Sequence, residues 1–163
     1  MLINAVINEM IMYFQNDVQR INHALKVYGF AVTISGMESV SDLEAQTISH
    51  AAVLHDIGIK EAERKYNSTA GKYQEIEGPP IAKKMLSNNG MEAATIDRVC
   101  YLIANHHSYQ RINGLDFQIL VEADFLVNIF ENNLDKNAVQ SIKNKYFKTE
   151  KGIELINTLY LNE

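Results

Sequence analysis

The stretch Ala51-Ala52-Val53-Leu54-His55-Asp56-Ile57-Gly58-Ile59 carries an apolar run into an adjacent imidazole and carboxylate, then into a glycine that can break the element. A His beside an Asp in the last turn of a buried helix is costly unless both groups are paired. A divalent cation is the simplest partner for the pair, and its remaining ligands must come from elsewhere. Three places can supply them: His23 before the stretch, His106-His107 after it, and Asp124 beyond.

Working outward, Ser41-Asp42-Leu43-Glu44 has the form of a capping box, in which the Ser41 hydroxyl takes the Glu44 amide and the Glu44 carboxylate returns to the Ser41 amide. The helix it starts runs through Ile48, Ala51, Ala52 and Leu54 with little charge after Glu44, so it is central and buried on most sides. Gly58 suits the left-handed position that follows such a helix end. Upstream, residues 2–16 place Leu2, Val6, Met10, Tyr13 and Phe14 at helical spacing. Ile21, Leu25, Tyr28 and Val32 repeat the period from Val18 to about Ile34, with His23 in the first turns and Gly36 at the end.

Downstream, Lys60 to Tyr66 reads as a short exposed helix or loop, and Asn67 to Gly71 as a loop with Ser68 or Thr69 as a cap. Tyr73 to Glu77 predicts a turn or two of helix broken at Gly78-Pro79-Pro80. The prolines then begin a new helix, where a missing amide does no harm, and Asn89-Gly90 ends it. Ile96, Val99, Cys100 and Ile103 mark a helix over about 92–105, followed by His106-His107 and a polar loop over Ser108–Gly114. Leu115 to Phe130 is a strongly apolar helix holding Glu122 and Asp124, and 135–147 and 150–160 read as two amphipathic helices. No segment alternates with a two-residue period between turns, so the fold class is all-α, a compact helical bundle.

The 163 residues amount to one domain spanning 1–163, without a linker; the hydrophobic fraction of 47% and charged fraction of 21% are those of a globular protein. The net charge of −5 with no basic patch argues against a nucleic-acid backbone as partner. It admits a small phosphorylated ligand whose charge a metal can meet. No signal peptide or membrane-length apolar run is visible, so no membrane partner and a cytoplasmic location are expected. Cys100 is the only cysteine, which excludes an internal disulfide and a multi-Cys metal site, and its apolar setting reads as that of an inert core thiol. The apolar stripes of the terminal helices could pack internally or on a second copy, so a homodimer stays open.

His23, His55-Asp56, His106-His107 and Asp124 each lie on or at the end of an apolar helix. Neutral imidazoles and aspartates held by helices bind Zn, Mn, Fe, Co or Ni well. Each element alone is a weak signal. The ordered set is stronger: His23, then His55-Asp56-Ile57-Gly58, then Glu122-Ala123-Asp124-Phe125-Leu126 resembles the HD-domain superfamily of metal-dependent phosphohydrolases over roughly residues 18–130, with 135–160 as a helical extension. The resemblance implies an all-helical fold and makes His23, His55, Asp56 and Asp124 the ligands of one divalent ion (Mn, Fe, Co, Ni, Zn or Mg). In relatives with two metals the aspartate of the pair bridges them, and His106 and His107 match the region that holds the second. The histidine that such relatives carry some twenty residues after the pair is absent; Gln74, Glu75 and Glu77 stand there ahead of Gly78, which favours a single metal.

The implied activity is hydrolysis of a small phosphorylated metabolite or nucleotide by metal-activated water. Asp56 is the hub, and His106 or His107 contacts the phosphate or protonates the leaving group. Lys60 is a candidate phosphate contact, although Ile59 separates it from Gly58 where many relatives carry the lysine directly. Glu77 is a candidate base or partner of the site, or a surface charge. His50 matches no ligand position, and Glu122, about 200° round the helix from Asp124, should point elsewhere. Tyr101, Tyr109 and Phe125 could line a pocket or fill the core. Two rivals remain: an HD-fold di-iron oxygenase, which needs the second site intact, and a non-catalytic module that binds metal or ligand.

Overall fold

A computed structural model describes residues 3–162, so Leu2 of the first apolar stripe lies outside it. Among the described residues nine α-helices follow one another: α1 (Ile3–Phe14), α2 (Val18–Ser35), α3 (Asp42–Leu54), α4 (Ile59–Tyr66), α5 (Gly71–Asn88), α6 (Ala93–Ile103), α7 (Leu115–Glu131), α8 (Lys136–Tyr146) and α9 (Glu150–Ile156). A 3₁₀ turn at Tyr109–Arg111 interrupts the polar loop before α7, and a π turn at Asn157–Leu161 continues α9. No strand occurs among the described residues, in agreement with the all-α reading.

The capping box forms as expected: Glu44 N donates to Ser41 Oγ at 3.3 Å, and Ser41 N donates to Glu44 Oε2 at 2.9 Å. From there α3 runs through the middle of the molecule against α1, α2, α6 and α7, with Ile48, Ala51, Ala52 and Leu54 fully buried. Asp17 and Asp135 cap α2 and α8, and Thr149 caps α9, each accepting a first-turn amide. Ala70, not Ser68 or Thr69, holds the cap position of α5.

Two local expectations are corrected. Gly78-Pro79-Pro80 does not break the chain: α5 is one continuous helix with both prolines inside it. Without N–H groups the prolines leave the carbonyls of Glu75 and Ile76 without their helical donors, a cost of about 3 kcal/mol per proline in an isolated helix. Packing against α4 and α6 outweighs it. Gly58 is not left-handed either, with φ at −75°. Its glycine is required by close approach, because a Cβ there would lie 2.5 Å from the Gln74 carbonyl and from the Gly78 nitrogen. Here α5 presses on the end of the His55-Asp56 turn.

Candidate metal centre

The C-terminal end of α3 delivers His55, the turn after it Asp56, the first turns of α2 His23, the middle of α7 Asp124, and the turn after α6 His106 and His107. A helix end leaves carbonyls without donors, and two of these histidines use them. His55 Nδ1 donates to the Ala52 carbonyl at 2.9 Å, and His106 Nδ1 to the Ile103 carbonyl at 2.8 Å. His23, within α2, does not use a carbonyl of its own helix; its Nδ1 lies 2.8 Å from Glu131 Oε2. With all three Nδ1 atoms donating, each Nε2 presents a lone pair to the interior of the cluster.

Those lone pairs converge. His23 Nε2 lies 3.2 Å from His55 Nε2, 3.2 Å from Asp124 Oδ1 and 3.6 Å from Asp56 Oδ2. His55 Nε2 lies 3.5 Å from Asp56 Oδ2 and 3.6 Å from Asp124 Oδ1. Adjacent donors bound at about 2.0–2.2 Å to one ion are separated by about 3.0–3.6 Å, so His23, His55 and Asp56 fit a single divalent ion, and Asp124 Oδ1 lies at the same spacing from both imidazoles. The other Asp56 oxygen faces a second group: His106 Nε2 is 3.3 Å from Asp56 Oδ1, and His107 lies beside it with the two rings 3.9 Å apart. Nε2 of both residues, and Oε1 of Gln74, are buried without a hydrogen-bond partner. Orphaned acceptors of this kind are rare in native proteins, and the His106 and His107 nitrogens together with Asp56 fit a cation. The single-metal expectation therefore meets a structure with donors for two.

The electrostatics follow from burial. Burial opposes the charge on His55, but Asp56 and Asp124 outweigh it and raise the imidazole to about 9. Burial likewise opposes ionisation of Asp56 and Asp124, yet the neighbouring imidazoles hold both carboxyls well below their usual range. For His107, burial and then the charge of His106 push the imidazole down to about 4. Before metal arrives, a proton on His55 balances part of the carboxylate charge.

A cleft of about 620 Å³ opens over the cluster. His23, Asp56, Asp124, His107 and Gln74 form part of its wall, with Arg20, Gln19, Thr69, Asn128 and Asn132 around them and Ile59 as its one aliphatic side chain. Two candidates from the sequence lie elsewhere. Lys60 donates to the Tyr13 carbonyl at 2.9 Å and stacks over that ring, so it serves the end of α1. Glu77 is bound by Lys65 Nζ at 2.5 Å and by the Tyr66 hydroxyl at 3.0 Å, on the side of α5 that faces α4. Neither borders the cleft. The basic side chain that does is Arg20, one turn before His23 on the same face of α2, a spacing the sequence offered.

Other residues are placed as follows. Glu75 accepts from the His107 amide and the Ser108 hydroxyl, both at 3.1 Å, and so braces the His106-His107 turn. Glu122 faces away from Asp124 and binds the α8–α9 corner. His50 is buried on α3 with Nδ1 on the Gln46 carbonyl, apart from the cluster. Phe125 and Tyr109 pack with Tyr146 in an aromatic group, Tyr101 packs edge-on to Phe117, and none of the three borders the cleft. Cys100 is half-buried, and burial raises its thiol above the usual range, which fits an inert role. No helix among the described residues is long and apolar enough to cross a membrane.

The HD domain family matches residues 20–144, a span that takes in His23, His55-Asp56, His106-His107 and Asp124. The chain belongs to the HD-domain family. A solved structure agrees: the crystal structure of a predicted HD superfamily hydrolase from an uncultured Thermotogales bacterium aligns with a TM-score of 0.69. The two chains are 21% identical, and the alignment covers 95% of this chain and 83% of that one, a likeness of fold. No curated protein matches the chain significantly. The HD domain of this protein thus has a His/Asp cluster that could hold a divalent metal.

Proposed function

We propose that this HD-domain protein is a divalent-metal-dependent phosphohydrolase acting on a small phosphorylated metabolite. The observation that carries the reading is the meeting of the His23 and His55 Nε2 atoms, each 3.2–3.6 Å from the other and from an Asp56 and an Asp124 oxygen, beneath an open cleft. A bound ion with positions free toward the cleft would polarise a phosphoryl oxygen and lower the pKa of a coordinated water. Asp56, with one oxygen toward each group of histidines, fixes the two halves of the site relative to each other. His107, held neutral by its surroundings, places an unpartnered Nε2 at the cleft wall, where it can contact the phosphate or a second ion.

Arg20 supplies positive charge at the rim. Its guanidinium is already oriented by Glu63, at 2.6 and 2.9 Å, and by Asp17, at 2.9 Å, and it takes over the phosphate-contact role expected of Lys60. The remaining lining favours a polar organic moiety: Gln19, Thr69, Asn128 and Asn132 offer hydrogen-bonding groups, the rim carboxylates Asp17 and Glu131 are engaged by Arg20 and by Lys26 and His23, and among the described residues no Phe, Tyr or Trp borders the cleft to stack a nucleobase. Base–aromatic stacking contributes about 1–3 kcal/mol where it is present, so phosphorylated sugars and polyols suit the site better than nucleotides.

The test is a hydrolysis screen with Mn, Co, Ni, Mg and Zn against sugar phosphates, polyol phosphates and nucleotides. Metal-dependent phosphate release from at least one class supports the reading. Tight metal binding without turnover of any phosphate ester, under every metal, would replace it with a binding-module reading.

A further inference from the structure

The histidine that opens the motif set is held differently from the other two. His55 and His106 sit at helix ends and give Nδ1–H to a carbonyl three residues back in their own chain. His23 lies within α2, and unlike His50 on α3 its Nδ1 is not on a carbonyl of its own helix; its partner comes from another element. Glu131, in the last turn of α7 and 108 residues away in sequence, provides it with Oε2 at 2.8 Å from Nδ1. Lys26 Nζ binds the other oxygen at 2.5 Å and fixes the carboxylate. Glu131 stands seven residues after Asp124, two helical turns along one face of α7, and between them Asn128 donates to Asp124 Oδ1 at 2.8 Å.

We propose that Glu131 is a positioning residue for the metal centre: its carboxylate accepts the hydrogen bond from His23 Nδ1–H, selects the tautomer with Nε2 free, and turns that lone pair toward Asp56, Asp124 and His55. The inference rests on His23 being a metal ligand, as the function proposed above requires. A carboxylate behind a ligating imidazole fixes the ring and makes the bound nitrogen more basic, and loss of such a partner commonly lowers metal affinity 10–100-fold. The α2–α7 contact would then tune the ion without any atom of Glu131 touching it. One helix would provide both a ligand, Asp124, and the support for the ligand opposite.

Metal affinity of the purified protein, by titration with Mn(II) and with Co(II), tests this independently of any substrate. Glu131→Ala is expected to weaken binding 10–100-fold. Glu131→Gln keeps an acceptor without the charge and should recover part of that loss. Lys26→Met removes the outer ion pair but leaves the bond to His23, so its affinity should stay within about threefold of the parent. His23→Ala serves as the reference: if it binds metal as tightly as the parent, the ligand assignment fails and so does the reading beneath it. If His23→Ala weakens binding while Glu131→Ala does not, the positioning role alone is overturned. Equal losses in Glu131→Ala and Lys26→Met would also overturn it, since they would point to general disruption of the α2–α7 contact.

Discussion

His23 Nε2 and His55 Nε2 face each other at 3.2 Å while both Nδ1 atoms are already committed to acceptors. Two lone pairs at that distance repel unless a cation lies between or beside them, so the pair stores a demand for either a proton or a metal. Asp124 and Asp56 stand on the flanks with oxygens 3.2–3.6 Å from the same nitrogens. The chemistry of the centre follows from that competition between proton and metal.

Removing a member of the hub should empty the site without unfolding the protein. His55→Ala and Asp56→Ala are each expected to lose tight metal binding and any hydrolytic activity, with far-ultraviolet circular dichroism within about 10% of the parent, because the surrounding helices keep their apolar contacts. Metal analysis finding full occupancy in both variants would sink the assignment. The two groups of donors also predict two binding steps. The His23, His55, Asp56 and Asp124 group should bind first, and a second equivalent should bind at least tenfold more weakly, since only His106 and His107 join the shared Asp56. His107→Ala should remove the second step alone.

In metal-free protein the pH dependence of stability has a definite sign. The folded-state pKa of His55, about 9, lies above the unfolded value of about 6.5. Its contribution is therefore fully present below pH 6.5 and is lost as pH rises toward 9, a change on the order of 3 kcal/mol. His107 has the opposite sense: its pKa of about 4 lies below the unfolded value, so stability is lost as pH falls from 6.5 to 4. Denaturant titration in chelator should find maximum stability near pH 6.5. With saturating Mn(II) the alkaline decline should vanish, because the metal replaces the His55 proton and binds more tightly as pH rises. Metal-free stability that climbs between pH 6.5 and 9 would contradict the cluster's charge balance.

Lys60 and Arg20 separate the two accounts of phosphate contact. Lys60→Ala should leave kcat and KM within about twofold, because its ammonium is on the Tyr13 carbonyl and outside the cleft. Arg20→Ala should raise KM for a phosphate ester about tenfold, the worth of one charge-assisted hydrogen bond. Glu77→Ala should likewise leave both kinetic constants near the parent values, since Lys65 and Tyr66 take its oxygens. The reverse pattern would return Lys60 to the site.

What could be read from the sequence was what depends on near neighbours and on motif order. The Ser41–Glu44 cap and the apolar stripe of α3 are local, and the structure contains both. The members of the His, His-Asp, Asp series do meet, because α2 and α7 both pack on α3 and turn His23 and Asp124 toward its C-terminal end. Pro79 and Pro80 misled because tertiary contacts from α4 and α6 decide whether α5 stays intact, and no local rule reports them. A glycine at 58 is legible in the motif, but its reason is not local: it is the α5 backbone sixteen to twenty residues on. Lys60 and Glu77 lie near the motif in sequence, but the direction of a side chain depends on which face of its helix meets the cleft. Glu131 carries no local sign of its role, because that role depends on His23 across the α2–α7 contact; its place two turns after Asp124 is the one feature visible in the sequence.

Glu122 offers a test of structure apart from chemistry. Its side chain is fully buried, and one carboxylate gathers the Lys148 amide at 2.6 Å, the Thr149 amide at 3.0 Å, the Gln118 side-chain amide at 2.7 Å and the Thr149 hydroxyl. Burial pushes its pKa up while these donors pull it down. The corner between α8 and α9 is thereby tied to the helix that bears Asp124, from the face opposite the metal ligands. Glu122→Ala would leave two backbone amides and a hydroxyl unsatisfied, which should cost about 3 kcal/mol, and the loss should appear as a lower denaturation midpoint. Glu122→Gln keeps an acceptor and should lose about half as much. Metal affinity per folded molecule should stay at the parent value in both, because the Glu122 side chain leaves α7 on the side away from Asp124. An affinity loss matching that of Asp124→Ala would show instead that the corner sets the geometry of the metal centre.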